Sequence, residues 1–259
     1  MHRTLTIPLA VLAGCLLAPG LVGGVLAQSP AETAVARGDR LMTEFRTQAA
    51  VEAYRSGLAT RPNDAELLWK TARALSNLAD ETPGNAGDEA RMEEAVELSR
   101  RAVRAGPSIS RAHTTLAAAL GKLALFRGGK RKVELAREVG REARRAAELD
   151  PQDFAPFTVL GVLERELATL NPFLRGFAGA LFGGVPDASL ERSAALLERA
   201  TRLGSGFVAP HFELARTYEE MDREAEARAE LEKALGLGAR EQLDRVLQAR
   251  ARELLRDLS

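Results

Sequence analysis

From about residue 31 onward, apolar residues return every three to four positions, and the positions between them are mostly Glu, Arg, Asp and Lys. That spacing paints one apolar stripe along an α-helix, the arrangement that lets a helix bury one side and hydrate the other. Runs of β-branched residues are absent, while Ala, Leu, Glu and Arg, all good helix formers, dominate. The pattern predicts an all-α chain.

A second, longer period lies over the first. A small residue is followed about twelve positions later by another small residue, an aromatic or Leu, a small–Leu pair and often Pro. In "HFELARTYEEMDREAEARAELEKALGLG", Leu214, Ala215 and Tyr218 mark one helix, and Ala227, Leu231, Ala234 and Leu235 mark the next. In "ARGDRLMTEFRTQAAVEAYRSGLATRPND" the same places hold Gly38 and Leu41, then Ala50, Tyr54, Gly57, Leu58 and Pro62. Small residues let paired helices approach, large ones fill the gaps, and Pro ends the second helix. The spacing is that of the 34-residue tetratricopeptide repeat.

Three more units fit once the turn inside the helix pair is allowed to lengthen, through "DETPGNAGDEA", "FRGGKR" and a long apolar insert. The units run at about 31–63, 65–107, 110–151, 154–205 and 208–239, with a closing helix at 242–257. The expectation is an α-solenoid of about five tetratricopeptide-like helix pairs, with enlarged internal turns and a closing C-terminal helix.

Residues 1–27 stand apart as a basic start, an apolar run and small residues at Val25 and Ala27. That layout predicts an export signal cleaved after Ala27 and a mature domain at 28–259. Two alternatives stay open. "LAGC" at Leu12–Cys15 resembles a lipobox, which would make Cys15 a lipidation site, and the apolar run could also remain as an uncleaved anchor. Each places the folded part outside the cytosol: periplasmic, secreted or membrane-anchored.

Composition narrows the chemistry. Cys15 is the single cysteine, so the mature part expects no disulfide, thiol nucleophile or cysteine metal site. Losing Arg3 with the leader leaves 35 of the 36 basic residues against 36 acidic ones, which argues against general nucleic-acid binding. His113 and His211 each stand alone near the start of a first helix and are read as capping or packing residues. Gly128-Gly129 and Gly183-Gly184 lack the strand that a phosphate-binding loop needs. Nothing pairs a nucleophile with a base, so a non-enzyme with no cofactor and no metal is expected. The basic stretch 127–145 carries Glu134–Arg137, Glu138–Arg141 and Glu142–Arg145 at i,i+3, the spacing of helix-surface ion pairs, and leaves Lys130, Arg131 and Lys132 uncompensated for an anionic contact.

The third and fourth units carry more than generic repeat residues. "KRKVELAREVGREARRAAELDPQDFAPFTVLGVLERELATLNPFLRGFAGALFGGVPDASLERSAALLERA" has a lysine-rich helix start, an "ELDP" end, and an "LG" helix followed by "LFGGVPDASLE". It resembles the regulator of microtubule dynamics family. That resemblance implies a tetratricopeptide domain, with relatives that include microtubule-associated proteins and a tether at mitochondrion–endoplasmic reticulum contacts linked to phospholipid binding and transfer. The export signal would separate this chain, as a bacterial-type relative, from cytosolic microtubules.

Solenoids bind on their concave face, which first helices line in tetratricopeptide proteins. In this chain's register the lining positions include Trp69, Arg73, Asn77, Thr114, Lys122, Thr158, Val162, Arg165, Phe212 and Arg216, diluted by Glu66, Glu166, Glu219 and Glu220. Within the insert, Asn171 and Pro172 open a short helix in which Phe173, Phe177 and Leu181 share a face, with Phe182 beside the Gly183-Gly184 stop. That helix either folds back over its own repeat as core or walls the groove. The leading expectation is a scaffold that binds a protein or peptide on its concave face, and the alternative is a carrier of phospholipid or another amphiphile.

Overall fold

The computed structural model describes residues 30–84, 87–170 and 188–258. The leader with Cys15 and the insert with Phe173, Phe177, Leu181 and Phe182 lie outside the described residues. Eleven α-helices occupy the described chain: α1 (Pro30–Thr43), α2 (Thr47–Thr60), α3 (Ala65–Glu81), α4 (Asp88–Ala105), α5 (Ser110–Leu123), α6 (Gly129–Leu149), α7 (Phe154–Ala168), α8 (Leu190–Leu203), α9 (Val208–Glu220), α10 (Glu224–Gly236) and α11 (Gln242–Asp257). They pack as the consecutive pairs α1/α2, α3/α4, α5/α6, α7/α8 and α9/α10, each pair leaning on the next, with α11 against the last. This is the five-pair α-solenoid with a closing helix.

Each pair is held at a crossing where the first helix presents almost no side chain. Gly38 lies under the ring of Tyr54, and a methyl group added to it would overlap that ring. At Gly161 the added carbon would stand 2.5 Å from Leu197 Cγ. The matching places in α3, α5 and α9 hold Ala72, Ala117 and Ala215, all fully buried. Bulk sits opposite: Tyr54, Leu197 and Leu231 are fully buried on the second helices.

The connections explain where the helices stop. In the first and last pairs the three-residue turn, 44–46 and 221–223, holds one residue in the left-handed region, Phe45 (φ 61°) and Asp222 (φ 56°). Arg46 N–H then donates to Leu41 C=O at 2.9 Å, and Arg223 N–H to Tyr218 C=O at 2.8 Å, closing the helix end as a Schellman turn. Between pairs, Asp64 caps α3 through Leu67 N–H, and Asp153 caps α7 through Ala155 N–H. Within the fourth pair, Ser189 caps α8 through Arg192 N–H.

One continuous core runs through the first three pairs, from Ala34 to Ala143, with Val159, Leu160 and Leu163 of α7 packed onto its end. A smaller core joins α9, α10 and α11 through Val208, Phe212, Ala215, Leu231, Leu247 and Ala251. A third joins α8 to α9 and α10 through Leu197, Leu214, Tyr218 and Ala227.

Along α6 the expected Glu138–Arg141 and Glu142–Arg145 pairs give way to other partners. Glu138 accepts from Nε and Nη2 of Arg100 on α4, at 2.9–3.3 Å. Glu142 takes His113 at 2.7 Å, and Arg145 turns to Glu148. Lys130 and Arg131, expected to be uncompensated, both face Glu134. A bidentate or half-buried partner on a neighbouring helix outcompetes a local surface pair worth a few tenths of a kcal/mol.

Gly161→Val should lower the unfolding free energy by about 2–3 kcal/mol, because neither helix can retreat without opening the crossing. Gly236→Ala, at a glycine with open space beside it, should change stability by less than about 1 kcal/mol. Urea unfolding followed by far-UV circular dichroism reads both.

Candidate functional site on the concave face

The first helices α3, α5, α7 and α9 stand side by side along the inner face, so one stripe of each is presented together. On α3 that stripe is Trp69, Arg73, Asn77 and Asp80. Trp69 is half-buried against the main core, with the Lys70 ammonium 5.2 Å from its ring centroid. Lys70 itself is held by Asp39 at 2.5 Å.

Arg73 and Asn77 converge on a carboxylate from the far end of the chain. Arg73 Nη1 donates to Glu241 Oε1 at 2.6 Å, and Asn77 Nδ2 donates to Glu241 Oε2 at 3.0 Å. Glu241 immediately precedes α11. The Asp244 carboxylate accepts the Arg240 and Glu241 N–H groups at 2.8 and 3.2 Å, which fixes the start of that helix. Burial raises the Asp244 carboxyl above its ordinary value, and those two N–H bonds oppose the rise. Farther along α11, Arg245 stacks 3.5 Å from the Phe45 ring centroid and Arg250 donates to Asp80 C=O at 3.3 Å. The closing helix therefore lies across the α3 stripe, joining the fifth pair to the second.

Lys122 and Arg165 are engaged with neighbouring first helices. Lys122 at the end of α5 reaches Asp80 at 2.6 Å and Ser76 C=O at 3.0 Å on α3. Arg165, expected to line the groove, is instead 1 % exposed. Its Nη1 donates to Glu213 C=O and Thr217 Oγ1, and its Nη2 to Glu213 Oε2 at 2.6 Å. Thr217 Oγ1 also lies 3.0 Å from Ser193 Oγ, which donates to Gly161 C=O, so α7, α8 and α9 share one buried polar network. A guanidinium at this depth requires such partners, and α9 supplies them.

Two further lining expectations are corrected. Phe212 is buried in the core with Leu231 and Leu247, because α11 covers the face it was expected to present. Thr114 is buried and bonds the Ser110 C=O of its own helix. Thr158, Val162 and Arg216 remain half-exposed, Thr158 bonded to Phe154 C=O and Arg216 at 3.9 Å from Glu213.

The two lone histidines turn out to be equivalent clamps. His113 Nδ1 meets Glu142 at 2.7 Å and its Nε2 meets Pro107 C=O; His211 Nδ1 meets Glu230 at 2.6 Å and its Nε2 meets Ser205 C=O. Each ties the start of a first helix to its own second helix and to the loop before it. Burial pushes the Glu230 carboxyl up, but the bonds from His211 and Lys233 outweigh it and hold the group below its ordinary value. Among the described residues, no grouping of three or more His, Cys, Asp and Glu is disposed to hold a metal, and no helix is long and apolar enough to cross a membrane. Glu241 was missed from the sequence: a Glu followed three residues later by Asp marks a helix start, but nothing local connects residue 241 to residue 73.

Paired helices with small residues at each crossing and a continuous inner face define a tetratricopeptide-type scaffold. The chain belongs to the regulator of microtubule dynamics protein 1-3 family, whose model matches residues 34–259. It is 29% identical over 199 residues to regulator of microtubule dynamics protein 1 of Bos taurus, covering 76% of this chain and 62% of that protein. It is 26% identical over 164 residues to regulator of microtubule dynamics protein 3 of Mus musculus, covering 63% of this chain and 35% of that protein. The matched part thus spans less than two thirds of the length of these relatives. In fold it is similar to a thermophilic TPR protein of Thermus thermophilus, with a TM-score of 0.62 at 21% identity over 85% of this chain and 97% of that one. Pseudomonas aeruginosa PilF gives a TM-score of 0.51 at 14% identity over 88% and 86% of the two chains.

Arg165→Ala should lower stability by about 3–5 kcal/mol by leaving Glu213 without its buried partner, read by urea unfolding. Glu230 should contribute a pH-dependent term. A carboxyl held low in the fold stabilises above its ordinary value of about 4.5 and loses that contribution as pH falls through the lowered value. Thermal melts of Glu230→Gln should therefore lie below the unmutated chain at about pH 6 and converge with it in acid.

Proposed function

We propose that this chain is a non-catalytic, exported scaffold that recruits a protein or peptide partner on the concave face of its solenoid. The observation that carries this reading is the α3 stripe: a half-buried aromatic, Trp69, followed by the hydrogen-bonding groups of Arg73 and Asn77 on one helix face. Aromatic and Arg side chains in such partly desolvated positions supply most of the energy at protein interfaces. The relatives are named as regulators of microtubule dynamics; the leader-like residues 1–27 favour an extracytosolic partner for this chain instead. The amphiphile-carrier reading is weakened by Phe212, which lies in the core and does not line a groove.

Panning a random peptide library on the immobilised full chain, with fluorescence anisotropy on the enriched peptides, tests the proposal. Trp69→Ala and Arg216→Ala should each weaken binding by about tenfold or more. Arg55→Ala, at an exposed α2 residue paired with Glu94, should leave it within about twofold. Peptide binding indifferent to Trp69 and Arg216, together with an amphiphile co-purifying at one-to-one stoichiometry in native mass spectrometry, would support the carrier instead.

A further inference from the structure

We infer that His113 and His211 are proton-operated latches at alternate joints of the solenoid, fastened as imidazolium ions and released as neutral rings. The joints concerned lie between the second and third pairs and between the fourth and fifth.

All four joints are built alike. In each, one N–H closes a turn onto the carbonyl three residues back: Asp64 onto Arg61, Ile109 onto Gly106, Asp153 onto Asp150 and Phe207 onto Gly204. The next carbonyl in the turn accepts from a side chain of the pair that follows. Arg101 of α4 donates to Pro62 C=O, and Arg199 of α8 donates to Pro151 C=O at 3.2 Å. At the other two joints a histidine takes that role: His113 Nε2 meets Pro107 C=O at 3.0 Å, and His211 Nε2 meets Ser205 C=O at 3.2 Å. The cations that correspond to Arg101 and Arg199 in these pairs, Arg145 and Lys233, turn to Glu148 and Glu230 on their own helices. Two joints are thus fastened by guanidinium groups, whose charge is permanent. The other two are fastened by imidazole, the side chain that ordinarily changes charge between pH 5 and 8.

Each ring faces an acceptor on both sides. Opposite the carbonyl, His113 Nδ1 meets Glu142 at 2.7 Å and His211 Nδ1 meets Glu230 at 2.6 Å. Carbonyl and carboxylate oxygens only accept, so both ring nitrogens must carry hydrogen to satisfy both partners, and only the imidazolium ion does. A neutral ring sets a lone pair against one of those oxygens. Both histidines are only 6% exposed, so little solvent reaches the ring to relieve that mismatch. Among the described residues, the charged groups in contact with the two rings are Glu142 of α6 and Glu230 of α10, the latter also bonded to Lys233. Arg111, two residues before His113, faces Asp153 instead. At the arginine joints, the place four residues before the helix crossing holds Leu68 or Phe157, both buried in the core. Those joints keep apolar packing and a permanent charge at any pH, whereas proton loss from the two rings loosens the histidine joints.

Amide hydrogen exchange on the full chain, followed by NMR at about pH 5.5 and about pH 8.5, tests the latches with each joint's own N–H as the probe. Protection factors at Ile109 and Phe207 should fall about tenfold relative to those at Asp64 and Asp153 as pH rises. Comparing joints within one molecule cancels the base-catalysed change in intrinsic exchange. His113→Gln and His211→Gln replace the ring with an amide that does not titrate; each should abolish the pH dependence at its own joint and leave the other's in place. In urea unfolding, His113→Gln should lower the folding constant about tenfold at pH 5.5 and less than about threefold at pH 8.5. Protection that changes in parallel at all four joints overturns the inference, and this readout needs no variant to fold. A cost of His113→Gln that is equal at the two pH values overturns it as well, leaving the histidines as packing groups whose charge is immaterial.

Discussion

The whole solenoid depends on how closely the two helices of each pair can approach. At Gly38, Ala72, Ala117, Gly161 and Ala215 the first helix offers a hydrogen or a methyl, and at Gly38 and Gly161 the partner's Tyr54 and Leu197 fill the room. Dispersion falls steeply with separation, so a pair held apart by one extra methyl group forfeits contacts along its whole length. Because each pair also packs on the next, a change of spacing at one crossing propagates into the curvature of the inner face. The positions that set this spacing are therefore upstream of any binding geometry.

Polar groups do a second job that packing alone leaves undone. Apolar stripes on Ala- and Leu-rich helices can slide; a bidentate Arg100–Glu138 pair, the His113–Glu142 and His211–Glu230 clamps, and the Arg165 network cannot slide without stranding a buried donor or carboxylate. Their value is register. It also explains why cations expected on a ligand-facing surface, Lys122 and Arg165, are turned toward neighbouring helices. In a tightly curved solenoid the inner edges of adjacent first helices are close, and a long cationic side chain finds an intramolecular acceptor there.

The closing helix turns an open array into a bridged one. Its apolar stripe finishes the fifth pair, and its polar side reaches back through Glu241 and Arg250 to the second pair and through Arg245 to Phe45 in the first. A scaffold built this way has its inner face partly occupied by its own chain. That bridging distinguishes the concave face here from a simple open groove.

The one-dimensional features were legible in the sequence because they are local. Helical period, the small residues at each crossing and the start of α11 each depend on residues within a turn or two, or on a repeat that the eye can follow. The resemblance to the regulator of microtubule dynamics family came from the same source, a continuous block of the third and fourth units. The site was legible only as a list of positions. Whether Phe212 faced ligand or core depended on α11 folding over it, and whether Arg165 was open or engaged depended on Glu213 and Thr217 of the next pair. Most of all, the Arg73–Asn77–Glu241 contact joins residues more than 160 positions apart. No periodicity encodes it; it exists because five pairs, each turned by its crossing, bring the end of the chain back to its second repeat. The sequence determined what each helix is and what lies beside it. Curvature accumulated over the array, a property only the assembled structure possesses, decided which side chains meet across the inner face.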